Sequence, residues 1–496
     1  LLDFSEDYRD NRIRSPEKTS LSQGIENWNR EEGMENKISA IIMAAGYGPG
    51  MKSSLPKAMH KISGQPMVEY VLKSVLDVVN SRPLVVLAGD AEDIKEHLGD
   101  KAEYNHLQER ESIDQIVVLF REFLEGLDGH VILMEGNLPL ITPDTLRDLV
   151  SSCQRGSYDA VVLSALCDNP QGYGRIIRDI SGNFEGILED VEASSEESLI
   201  KEIDTSVYCF KVSILLEGID RLADMDPEDR YQISDFLYDL MGSGGKIGIH
   251  TVYDSTETMA VDNRIRLAEA QKIMGQRINN YHLERGVTII DPDNAYIGPH
   301  VSIDRDVIIY PGNVVEGHTT IGRGTMLLPN NRILDSTIGR DTEIQNSVIL
   351  KSRVEDRATV GPFAYLRPGS HIGEDVRIGD FVEIKNAKVG KGSKVSHLTY
   401  VGDGEIGENV NIGCGVVFVN YDGKKKHRTI VGDNAFIGCN TNLVAPVRVE
   451  DNSYIAAGST ITQDVPKDAL AIARARQVNK EKWVIKRHKK ETEENQ

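Results

Sequence analysis

Few residues in this 496-residue chain have types and spacings that announce a reaction by themselves. Its five cysteines, Cys153, Cys167, Cys209, Cys414 and Cys439, stand far apart with no Cys-x-x-Cys pair, which indicates neither a disulfide framework nor a structural zinc site. Neither Cys414 nor Cys439 has a neighbouring histidine in sequence to make it a nucleophile. His397, in Ser396-His397-Leu398-Thr399-Tyr400, is an imidazole able to move a proton near neutral pH, although a lone histidine is more often a satisfied structural ring. Arg367 and Lys385, taken singly, are surface charges. Near the other end, Gly46-Tyr47-Gly48-Pro49-Gly50-Met51 is a glycine-rich stretch of the kind that lets backbone approach phosphates, with Lys57 a few residues behind it.

What these residues do depends on the elements that carry them. Residues 1–33 are polar and charge-dense without an apolar period and read as a disordered extension. From Ile38, short apolar runs ending in glycine alternate with amphipathic helical stretches up to about Asn263, the pattern of an α/β domain with a mostly parallel sheet. Residues 264–286 read as a connecting helix stopped at Gly286. Beyond Val287 an aliphatic-glycine pair returns at Ile297-Gly298, Ile321-Gly322, Ile338-Gly339, Val360-Gly361, Ile372-Gly373, Ile378-Gly379, Val389-Gly390, Ile406-Gly407, Ile412-Gly413, Val431-Gly432 and Ile437-Gly438, several of them six residues apart. A hexapeptide period with one inward aliphatic residue predicts a parallel β-helix over 287–473, followed by a cap and basic tail at 474–496.

Composition narrows the function classes. Fifty-six Lys+Arg against 77 Asp+Glu gives a net charge of −21, which repels phosphate backbones and argues against nucleic acid as the partner. No apolar run reaches the ~20 residues of a membrane span, and no basic-then-apolar leader opens the chain. The expected location is the cytoplasm, and the expected partners are small molecules.

Two segments carry a family resemblance. Met43-Ala44-Ala45-Gly46 with the loop and helix that follow resembles the opening of sugar-phosphate nucleotidyltransferases. Residues 367–447, with RPG, FVEIK, SHLTY, NYDG and the later AIARA, resemble the β-helical half of the bifunctional glucosamine-1-phosphate acetyltransferase/N-acetylglucosamine-1-phosphate uridyltransferases of bacterial cell-envelope synthesis. The likeness spans residues 38–485 in the family's domain order. It implies a nucleotidyltransferase-like, Rossmann-like α/β domain, a left-handed β-helix and a homotrimer, with acetyl-CoA as co-substrate.

For acetyl transfer the resemblance implies His397 as general base, Arg367 and Lys385 as the sugar-phosphate clamp, Tyr400 and Asn411 as further substrate contacts, and Lys426 reaching an adjacent subunit's site. Cys414, Asn420, Tyr421, Cys439, Ala457 and Arg474 stand at acetyl-CoA positions. For uridyl transfer it implies Met43, Ala44, Ala45, Gly46, Lys57, Gln108, Gly174, Glu189 and Asp204 around the nucleotide and sugar, with Mg²⁺ at Asn137 and Asp262.

Here the pattern departs. The family loop G-x-G-T-R-M has Pro49 and Gly50 in place of Thr and Arg, the uracil segment G-T-G-H-A is replaced around Ser112-Ile113-Asp114-Gln115-Ile116, and N-T-G reads Asp204-Thr205-Ser206. The metal positions exchange their types, with Asn137 where the family has Asp and Asp262 where it has Asn. Loss of the loop arginine removes a charge-stabilising donor, typically worth ~3–4 kcal/mol of barrier. The expectation is acetyl transfer with uridyl transfer weak or lost. A fully bifunctional enzyme and a non-catalytic sugar-nucleotide-binding scaffold are the alternatives.

Overall fold

The computed structural model describes residues 37–44, 49–88, 91–107, 120–222 and 232–493. The extension expected to be disordered, Ala45 and Gly46 of the loop, Gln108 and the segment around Ser112 lie outside the described residues. The chain divides into two compact units between Met274 and Gly275, within the helix Arg264–Leu283.

The N-terminal unit is built on a nine-stranded sheet whose main path runs Ile247–Thr251, Ala160–Leu166, Glu202–Lys211, His130–Glu135, Ile38–Met43, Leu84–Ala88, Glu103–Leu107. Neighbours are parallel except Glu202–Lys211, which runs antiparallel to both strands beside it. The helices Met67–Leu76 and Pro143–Arg155 place Val68, Val71, Leu72, Leu146, Leu149 and Cys153 into one core layer. The opposite face is covered by Leu215, Phe236 and Leu237 from Val212–Leu222 and Ile233–Gly242. Chain order reverses at Ile38–Met43, whose neighbours are Leu84–Ala88 on one side and His130–Glu135 on the other. Ligands of open α/β sheets bind at the carboxyl ends of strands flanking such a switch point.

The C-terminal unit is a three-faced parallel β-helix with 11, 10 and 9 strands per face. Each coil contributes one short strand to each face, and each strand pairs in parallel with its equivalents in the adjoining coils. The core is a column of aliphatic side chains, with Leu327, Ile344, Val360, Ile378, Val395, Ile412 and Ile437 stacked coil upon coil on the first face. Most of the recurrent glycines follow this inward residue on the first and third faces, and at these positions the neighbouring coil comes close. A Cβ on Gly390 would meet the Gly407 carbonyl oxygen at 2.5 Å. On the second face the same position carries Arg367 and Lys385 in adjacent coils, after inward Leu366 and Ile384.

Candidate active sites

In the β-helix, the site residues sit on the second face and on the corner between it and the first. His397 ends the strand Lys394–His397, and the register sets it against Asp380 of the preceding coil. His397 Nδ1 lies 2.6 Å from Asp380 Oδ1. The corner repeats in each following coil. The Gly415 N–H donates to the His397 carbonyl, Asn440 N–H to Cys414 and Gly458 N–H to Cys439, so His397, Cys414, Cys439 and Ala457 occupy one column. Arg474 lies in the next coil rather than in the column itself: the Thr460 N–H donates to the Ala473 carbonyl, and the Arg474 side chain lies beside Gly458. With coils stacked roughly 4.8 Å apart, the four steps from His397 to Arg474 span roughly 19 Å.

Beside that corner, Arg367 Nη1 donates to Glu383 Oε1 at 2.8 Å, and this bond holds the guanidinium pKa above its ordinary value, with Tyr365 and Tyr400 close enough to add to it. Lys385 is pushed below the usual ammonium range, first by contact with Lys426 and then by its charge, burial and the charge of Arg367. Three cations thus converge within one chain, and Lys426, expected to reach an adjacent subunit, faces Lys385 of its own. Lys426 is delivered by the loop Asn420–Arg428, which closes on Asp422. That carboxylate accepts from the Lys425 and Lys424 N–H groups at 2.7 Å and from His427, and is pulled down to about 2.

Asp403 organises the same corner. It accepts from Asn386 and Asn420 at 2.6 Å, and although burial raises its pKa, these bonds and the Lys426 and Lys385 charges bring it below the ordinary carboxylate value. Gly402 makes room: a Cβ there would meet the Tyr400 hydroxyl at 2.4 Å and the Asn420 amide at 2.6 Å. Tyr421 stands exposed on the loop. Asn411 does not join the group, since it lies on the first face in register with Lys394 and Phe436.

In the N-terminal unit, the two exchanged metal positions touch. Asn137 Nδ2 donates to Asp262 Oδ1 at 2.8 Å, and Lys57 Nζ reaches the same oxygen at 2.9 Å and Glu135 at 3.5 Å. Asn137 Oδ1 is buried with no hydrogen-bond partner among the described residues. An orphaned amide oxygen beside a carboxylate is an oxygen donor set of the kind Mg²⁺ takes. Met43 and Ala44 bound this crevice: the Met43 carbonyl accepts from Gly136 N–H, and a Cβ on Gly136 would come within 3.2 Å of Ala44. Gly50 packs against the same place, with a Cβ position 2.5 Å from the Asp262 carbonyl oxygen.

A second cluster holds Gly174, Glu189 and Asp204. The Asp204 N–H donates to the Gly174 carbonyl, and the Tyr208 hydroxyl donates to Asp204 Oδ2 at 2.6 Å. Burial pushes Asp204 up to about 6, with the Glu189 charge adding to it. Glu189 itself is raised by burial and by Glu192. No group of three or more acidic, cysteine or histidine side chains suited to a metal exists among the described residues, and none of their helices is long and apolar enough to cross a membrane. All five cysteines are free thiols.

Sequence reasoning missed Asp380, Glu383, Asp403 and Glu135. The first three had an available signal in the coil length, because the pairs Asp380 with His397 and Asp403 with Asn420 are each 17 residues apart and Arg367 with Glu383 are 16 apart.

These two units define a class, a nucleotidyltransferase-type α/β unit followed by the left-handed β-helix of hexapeptide-repeat transferases. Comparison with known proteins agrees. A MobA-like NTP transferase domain matches residues 40–179, and the bacterial transferase hexapeptide family (six repeats) matches residues 351–386 and 428–463. The chain is 49% identical over 453 residues to the "Bifunctional protein GlmU" of Clostridium acetobutylicum, covering 90% of this chain and 98% of that one. It is 45% identical over 450 residues to the protein of that name from Acetivibrio thermocellus, covering 91% and 98%. The chain belongs to the GlmU family. Relatives named as bifunctional fit the two-activity alternative better than an N-terminal unit with weak or lost activity.

Proposed function

We propose that the C-terminal unit transfers the acetyl group of acetyl-CoA to the amino group of glucosamine 1-phosphate. What supports this reading is the His397–Asp380 pair at one end of the corner column, together with the convergence of Arg367, Lys385 and Lys426 on the second face. Arg367, Lys385 and Lys426 take the sugar phosphate, where ammonium groups already crowding one another gain from a dianion. His397 Nε2 accepts a proton as the amine attacks the thioester carbonyl. The C–N bond forms, the C–S bond breaks, and the proton ends on the departing thiol. Cys414, Cys439 and Ala457 line a column the length of an extended pantetheine arm, and the guanidinium of Arg474 suits phosphate at its far end.

The working unit in this reading is a homotrimer in the cytoplasm. Its support is that Asn411 lies on a different face from the other substrate residues, so a second chain is needed to bring such a residue to the site. Phe363, Phe381 and Leu398 also form an exposed apolar ridge along the corner, at 56%, 58% and 59% exposure. All three adopt left-handed backbone, which is unfavourable for such side chains.

The contact among Lys57, Asp262 and Asn137 favours a second activity, transfer of UMP from UTP to N-acetylglucosamine 1-phosphate in the N-terminal unit. Asp262 and Asn137 Oδ1 would hold Mg²⁺, which supplies charge neutralisation at the phosphates. Lys57 contributes a fixed cation, and Gly174, Glu189 and Asp204 form the sugar-side wall.

One assay tests both. Purified protein with glucosamine 1-phosphate and acetyl-CoA releases free thiol, and with N-acetylglucosamine 1-phosphate, UTP and Mg²⁺ it releases pyrophosphate. His397→Ala should lower thiol release by the ~10²–10⁴-fold that a general base contributes, with pyrophosphate release unchanged. Thiol release that survives this substitution refutes the assignment of the base.

A further inference from the structure

Asp380 ends the first-face strand Arg377–Asp380 and stands in register with His397 one coil on. Backbone geometry, not a chance rotamer, brings the two together. The Leu398 N–H donates to the Asp380 carbonyl at 3.0 Å, the Gly415 N–H to the His397 carbonyl at 3.3 Å, and Thr399 Oγ1 to that same carbonyl at 2.8 Å. The ring-bearing segment is therefore held from both adjoining coils. Nδ1 meets Asp380 at 2.6 Å, while Nε2 has no hydrogen bond among the described residues.

We propose that Asp380 is a positioning residue for acetyl transfer, accepting the Nδ1–H of His397 so that the Nε2 lone pair faces the substrate amine. The inference rests on the reading of His397 as the base. A neutral imidazole carries one N–H, and which nitrogen bears it follows from the hydrogen bond the other ring position makes. A carboxylate can only accept, so it selects the Nδ1–H tautomer. When Nε2 takes the proton of the attacking amine, the ring becomes a cation beside an anion already in place, and the proton then passes to the thiolate as the C–S bond breaks.

Asp380 is kept ionised for this task. Its hydrogen bond with His397, its own backbone N–H and the charges of His397 and Arg377 hold its carboxyl below the ordinary value. Other titratable or charged groups on the elements packed here are Cys414 in the following coil and Lys394 and Tyr400 in the coil of His397 itself.

The test is Asp380→Asn in the full chain, since an amide of the same shape can donate as well as accept and so removes the tautomer choice. Thiol release gives kcat and KM, and ¹⁵N NMR of the histidine ring gives the tautomer. The expected result is a loss in kcat of at least about tenfold, not exceeding the ~10²–10⁴-fold contribution of the base itself, with KM for glucosamine 1-phosphate within about threefold of wild type. The Nδ1–H tautomer should dominate in the wild type and become mixed in the variant, with an unchanged thermal midpoint. Asp380→Glu, which keeps an acceptor-only group, should recover part of kcat. Wild-type turnover with an Asp380→Asn chain of unchanged kcat and tautomer overturns the assignment alone. Absence of thiol release from the wild type overturns the acetyl-transfer reading and the assignment with it.

Discussion

Gly50 stands where the family loop has an arginine, so an obvious experiment is to restore that side chain and look for faster uridyl transfer. The structure predicts that Gly50→Arg will disappoint. A Cβ at this position would lie 2.5 Å from the Asp262 carbonyl oxygen and 3.4 Å from Asn263 Cβ. Ordinary contact begins at 3.4 Å, so the loop or residue 262 must give way by about 0.9 Å before any longer side chain is placed. Met51, next in the chain, is fully buried and its carbonyl accepts from Arg264, which leaves Gly50 little freedom to retreat. The cheaper movement is that of residue 262, whose carboxylate Lys57 and Asn137 hold at 2.9 and 2.8 Å. Overpacking of this kind costs ~1–3 kcal/mol, and Gly50→Ala should already show most of it. A well-aimed arginine would return ~3–4 kcal/mol of barrier, or roughly 10²–10³-fold in rate, but only with Asp262 still in place. The expected result is a lowered stability of the N-terminal unit in both variants and a pyrophosphate-release rate for Gly50→Arg no higher than about tenfold over wild type. Pyrophosphate release and hydrogen exchange of the strand Ile38–Met43 measure the two quantities. A hundredfold gain with unchanged exchange would show that the loop is not locked against Asp262.

Two further outcomes follow from the charges. Burial raises Asp204 from 3.8 to about 6, so the folded unit binds that proton more tightly than the unfolded chain does. This contribution is fully present below pH ~4 and is lost as pH rises through about 6, an order of ~3 kcal/mol, so Asp204→Asn should flatten the pH dependence of exchange in Glu202–Lys211 between pH 4 and 7; an undiminished slope would assign it to another group. Lys426→Met relieves the repulsion on Lys385 yet removes a phosphate cation, so KM for glucosamine 1-phosphate should rise roughly tenfold while kcat changes little. An unaltered KM would place the phosphate elsewhere.

The sequence by itself determined the β-helix and the alternating α/β unit, because both are written in local periods: an inward aliphatic residue per hexapeptide, and apolar runs punctuated by glycine. It also determined His397 and the cationic pair as candidates, since their motifs lie within continuous stretches. Tertiary structure decided what each of them touches. Coil stacking converts a separation of 17 residues into direct contact, placing Asp380 on His397 and Asp403 on Asn420, and turning the corner into a column that runs from His397 to Ala457. The exchange of Asn137 and Asp262 is legible in the sequence as a swap between two metal positions 125 residues apart, and the tertiary structure shows them to be hydrogen-bonded partners sharing Lys57. Gly50 read as a lost arginine, whereas packing shows a site with no room for one. The physical reason is common to all three: local sequence fixes backbone periodicity, but hydrogen bonds and close contacts depend on which segments the fold brings within a few ångströms.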